Sequence, residues 1–186
     1  MYKALFELSP DRGTFVSRLF SRPAQTGVGA TSTVTALFDR YAAVPSSASL
    51  LDETDGRIIE ILVERHHFTL TAPERSTIAS MMQRFMTAGP RALKGFGDLN
   101  PAFADLMTAG DFDGHQQSFL ASEEAYAAVR TLQRQNLVVP VVGDFAGDKA
   151  LKSIAEYLGA HQAAVRVFYL SNVELYLFEQ APRSRQ

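Results

Sequence analysis

Two short β-branched runs, Leu137-Val-Val-Pro-Val-Val142 and Ala164-Val-Arg-Val-Phe-Tyr-Leu170, constrain this chain more than any other feature. Such runs, without polar alternation, read as strands covered on both faces. Pro140 weakens the first, because it has no N–H to give to a ladder and favours an edge or a bulge. Between the runs, Leu151, Ile154, Ala155 and Leu158 recur at helical spacing, and the pattern stops near Gly159. Leu137 to Leu170 is 34 residues, the size of a β-α-β crossover. The segment therefore predicts a Rossmann-like β-α-β unit over 137–178 within an α/β fold, followed by a tail over 179–186.

Parallel strands would bring their C-terminal ends to one edge, where open α/β sheets bind ligands. The turn Gly143–Asp148 and the segment Ser171-Asn-Val-Glu174 would then be neighbours. Gly143 and Gly147 permit close backbone approach, and the helix start after them offers free N–H groups. Asp144 accepts hydrogen bonds, Asn172 donates and accepts, and Glu174 serves as a base or an acceptor. A second reading stands beside this one. Asp144 or Asp148 caps the helix, and Ser171 or Asn172 starts the next. For Asp148 and Lys149 the capping reading is the stronger.

The first 136 residues read as mainly helical. Met1, Leu5 and Leu8, with Tyr2 and Phe6, already follow a helical face, and no Ser, Thr, Asp or Asn precedes them as a cap. Pro10 suits a first helical position, ahead of a second helix burying Phe15, Val16, Leu19 and Phe20. Gly27 and Gly29 form a G-x-G with no strand before it and no third glycine, a connection rather than a phosphate loop. Thr31 or Ser32 is expected to cap a helix through Leu37, Phe38 and Tyr41. Another helix is expected from about Leu51 to His66, with Ile58, Ile59, Leu62 and Val63 inside.

Thr71-Ala-Pro-Glu74 is a capping box with proline inside it, a specific start signal. The Ile78, Met81, Met82 and Phe85 stripe behind it reads as core. From Gly89 to Ser118 the pattern weakens, with five of the twelve glycines there and one short helix around Ala102–Met107. That stretch reads as a surface loop. Ser122 caps a last helix with Glu123 and Glu124 in its first turn and Arg134 in its last, both favourable to the helix dipole.

Composition closes off several chemistries. The absence of cysteine excludes a disulfide scaffold, a thiolate metal site and a cysteine nucleophile. A formal net charge of −2 lacks the basic balance of a nucleic-acid binder. No apolar run approaches the ~18 residues that span a bilayer, so a soluble, cytoplasmic protein is expected. His66-His67 points to two helix faces without a carboxylate at ligand spacing, and no metal site is expected. Neither a G-x-S-x-G elbow nor a G-x-x-x-x-G-K-[ST] loop occurs.

SEEAYAAVRTLQRQNLVVPVVGDFAGDKAL and FYLSNVELYLF, with the opening MYKALFELSPDRGTFVSRLFSRP, carry a resemblance. They resemble an uncharacterised bacterial family with a fold like that of S-adenosylmethionine-dependent methyltransferases. The resemblance implies that Gly143, Asp144, Phe145, Gly147, Ser171, Asn172 and Glu174 line part of a ligand cleft. It also implies a Gly-rich strand–turn–helix ahead of the MYKALFEL segment. Nothing of that kind is present here, so an incomplete methyltransferase-like domain is expected, a central and C-terminal part of the family's fold.

Two functions follow from these readings. The first is methyltransferase ancestry, with S-adenosylmethionine bound only by a longer form and a small molecule as partner. Two parallel strands do not make a stable sheet by themselves, so self-association through an exposed sheet edge is also expected. The alternative is a helical interaction or scaffold protein without catalytic activity.

Overall fold

The computed structural model describes residues 1–26, 31–91, 101–170 and 173. The chain divides into two units, 1–138 and 139–186. In the first, α1 (Tyr2–Leu8), α2 (Arg12–Leu19), α3 (Val34–Ala42) and α4 (Ala48–Glu60) are followed by a π turn, Ile61–Arg65. Then come α5 (Ala72–Ala88), a 3-10 turn over Gly89–Arg91, α6 (Phe103–Thr108) and α7 (Glu123–Arg134). The second unit contains α8 (Ala150–Ala160).

Side-chain oxygens set the helix starts, because the first N–H groups of a helix have no partner inside it. Thr71 accepts from the Glu74 N–H while the Glu74 carboxylate accepts from Thr71, so the expected capping box opens α5. Ser122 accepts from Ala125 and opens α7. Two starts lie further along than expected. Asp11 accepts the Thr14 N–H at 2.6 Å, so α2 begins at Arg12 and Pro10 precedes the cap. Thr33, not Thr31 or Ser32, accepts from Ala36 and opens α3. The G-x-G of Gly27 and Gly29 lies outside the described residues.

The core of this unit is aromatic. Phe6, Phe15, Phe119 and Tyr126 pack with ring centroids 4.8–5.7 Å apart. A second group joins Phe20, Phe38, Phe85 and Phe103 at 5.8–6.1 Å, mostly edge to face. Edge-to-face pairs place the positive ring edge on the negative ring face, a gain beyond buried area alone. Leu5, Val16, Leu19, Leu37 and Met82 are fully buried around them. The expected 51–66 helix settles its face on Ile58, Ile61 and Leu62, three and four apart, and leaves Ile59 and Val63 on the margin.

The α/β expectation is overturned. Among the described residues there is no strand, and the only β-bridge joins Gly110 to Gln116. Leu137–Val142 and Ala164–Leu170 carry no regular structure, and no backbone hydrogen bond between them is found among the described residues. A β-branched run becomes a strand only when a neighbour takes up its N–H and C=O groups. Among the described residues neither run has such a neighbour. The Rossmann-like β-α-β unit, the shared ligand edge and self-association through a sheet edge therefore fall together. The helix between the runs is as expected, over Ala150–Ala160, yet none of its residues is buried.

Candidate functional site

The glycine turn ahead of α8 holds the described part of the expected site. Gly143, Asp144, Phe145 and Gly147 lie there, whereas Ser171, Asn172 and Glu174 fall outside the described residues. Asp144 Oδ1 accepts the Ala146 N–H at 2.9 Å, and the Asp144 carbonyl accepts the Gly147 N–H at 3.2 Å. The aspartate thus folds its own turn, as short acceptor side chains do. A Cβ on Gly143 would lie 2.5 Å from the Ala150 Cβ, so only glycine lets the turn rest on the start of α8. Phe145 stacks on Phe168 with centroids 6.1 Å apart.

The turn and the start of α8 enclose an open cleft of about 460 Å³, lined by Val141, Val142, Gly143, Asp144, Lys149 and Ser153 among others. Neither Asp144 nor Asp148 caps α8. The helix begins after Lys149 with no side-chain cap, and Asp148 instead faces Lys152 at 3.3 Å in a solvent-exposed pair. The Asp144 carboxylate is exposed and already committed to its turn. What the geometry gives is a shaped turn rather than a buried acid or base.

Unit 1–138 contains arrangements that sequence spacing did not reveal. Glu7, 6% exposed at its side chain, meets Arg65 at 2.8 Å, His66 Nε2 at 2.6 Å and Lys3 at 3.4 Å. His66 thus has a carboxylate partner 59 positions away, brought close by the π turn after α4. Burial alone would raise the Glu7 carboxyl. Hydrogen bonds from His66 and Arg65, with the charges of His66 and Lys3, outweigh it and hold the group below its ordinary value.

Arg12 is 1% exposed. Its guanidinium reaches the Glu123 carboxylate at 3.0 Å and the carbonyls of Leu120, Ala121 and Ser32. It ties α2 to the entry of α7 and to the segment before α3. Tyr126 donates to the Ser9 carbonyl at 2.8 Å, and burial pushes its phenol well above the ordinary range.

Asp111, Asp113 and His115 bring three ligand-type atoms within 4.8 Å of one another on an exposed loop. Asp111 already accepts from Asp113, His115 and Gln117. The local hydrogen bonds account for this cluster without a metal.

The family model described as Domain of unknown function (DUF7790) matches residues 1–185, and the chain belongs to that family. No curated protein and no solved structure matches it. The methyltransferase-like resemblance is corrected by these findings. The matching family carries no such description, and the described residues contain no sheet on which that fold is built. No described helix is long and apolar enough to cross a membrane.

Proposed function

We propose that this member of the DUF7790 family is a helical interaction or scaffold protein that acts by binding, without catalysis. One observation carries the reading. Residues 139–170 leave their large apolar side chains uncovered: Val139, Val141 and Val142, then Leu151, Ile154 and Tyr157 on α8, then Val165, Val167, Phe168 and Tyr169. Each of these ten residues is at least 36% exposed. Monomers rarely leave contiguous apolar patches above a few hundred Å². Unit 1–138, by contrast, buries an aromatic core of its own.

On this reading the occupant is a protein presenting an aliphatic face, and α8 is its seat. Gly143, Asp144 and Gly147 shape the turn that starts the helix, and no cofactor is required. The test compares the intact chain with Leu151→Glu/Ile154→Glu. A protein that copurifies with the wild type is itself purified and its affinity measured. The variant is expected to bind it at least about tenfold more weakly, since two charges face the apolar contact, while circular dichroism shows unchanged helix content. Equal affinity for both chains would overturn the proposal.

A further inference from the structure

Phe112 is more exposed than the other uncovered apolar side chains of unit 1–138, such as Phe68 and Leu106. Among the described residues it is the most exposed large apolar side chain, at 111% of the reference area. The loop that carries it is tightly built. The Asp111 carboxylate accepts the N–H groups of Asp113 and His115 at 3.0 and 2.9 Å and the Gln117 amide at 2.8 Å. The Asp111 N–H donates to the His115 carbonyl at 2.9 Å, and Gly114 N–H donates to the Asp111 carbonyl at 3.0 Å. Below the tip, Gly110 pairs with Gln116, and Ser118 donates to the Met107 carbonyl. Gly114 has φ +80°, a conformation that favours glycine, and a Cβ on Gly110 would sit tightly against the Gly114 backbone at 3.1 Å. None of these bonds involves the Phe112 ring.

We propose that Phe112 is a preorganised anchor that enters an apolar pocket, rimmed by Lys or Arg, on a partner protein. A loop fixed by its own hydrogen bonds leaves little to order on binding, and the contact then costs chiefly the freedom of one ring. Aromatic side chains of this kind dominate interface energetics when a pocket closes around them. The charge of the surroundings specifies the rim. From Asp105 to Glu124 the described chain has no Lys or Arg, while Asp105, Asp111, Asp113 and Glu124 fall in that span beside the Arg12-paired Glu123. Asp111 and Asp113 flank the ring directly. A pocket edged with cations would be steered to this tip and an acidic one turned away.

This contact lies in a different unit from the apolar residues of 139–170 and does not rest on them; either can fail while the other holds. The test places p-benzoylphenylalanine at position 112 of the full chain in its native host, followed by irradiation and mass spectrometry. The expected result is one discrete adduct whose cross-linked residue lies in an apolar pocket bordered by Lys or Arg. Its yield should fall by roughly fivefold or more with Asp113→Lys, through like-charge repulsion at the rim. Phe112→Ser should leave the melting temperature unchanged, because the ring packs on nothing. No discrete adduct, an adduct indifferent to Asp113→Lys, or a lowered melting temperature for Phe112→Ser would each overturn the proposal.

Discussion

Arg12 shows what a single buried charge does in this protein. Its guanidinium satisfies carbonyls at Leu120, Ala121 and Ser32 that no helix ladder serves, and its charge is met by Glu123. Replacing it with alanine removes these guanidinium contacts and leaves the buried Leu120 carbonyl without that donor, while the residue-12 N–H can still reach Glu123. Arg12→Ala should cost about 3–5 kcal/mol, read as a lower urea midpoint at unchanged slope. Glu7 works in the opposite sense, as a carboxylate met by Lys3, Arg65 and the His66 ring. Its folded value lies below its ordinary 4.5. The stability it contributes is therefore complete above about pH 4.5 and is lost as pH falls through the folded value. Glu7→Gln should be less stable than wild type at pH 7, and the gap should narrow as denaturation is followed from pH 5 to pH 2. A constant gap would show that the pairing carries no charge effect.

Among the elements, those with a chemical start signal were the most legible. Thr71 and Glu74 form their reciprocal cap in the structure as the T-x-x-E spacing predicts. Thr71→Ala should lower stability by about 1 kcal/mol, with thermal unfolding as the readout. Ser122 with Glu123 and Glu124 was equally readable. Where two candidate caps stood close together the choice was not local. Thr33, rather than Thr31 or Ser32, accepts from Ala36, and Asp11 caps α2, so that Pro10 stands before the cap instead of at the first helical position. The Glu7–His66 contact left no sequence signal, since its partners are 59 residues apart. The site residues divide similarly. The turn at Gly143, Asp144 and Gly147 was visible from its composition. The convergence expected of it with Ser171, Asn172 and Glu174 rested on a sheet that the described residues do not form.

At the scale of the whole molecule the two units differ in kind. Among the described residues, the buried ones of the core all lie in unit 1–138, both aromatic groups included. Among the described residues of unit 139–186 none is buried. A chain of residues 1–138 should therefore keep the cooperative melting transition of the full protein. Residues 139–186 alone should show no such transition, because their described residues bury no apolar side chain to offset the backbone entropy. Loss of the transition from 1–138 would show that its core depends on the later residues.

The sequence by itself determined what is local: which stretches turn into helices, where several of them start, and which apolar stripes seek cover. Those properties depend on contacts within one or two turns, and residue spacing records them directly. Tertiary structure alone decided the rest. The runs at 137–142 and 164–170 have the composition of strands, but a strand exists only through a partner's backbone, and none is provided for them among the described residues. The same distance dependence hid Arg12 and Glu7, whose partners the fold, not the chain order, brings together.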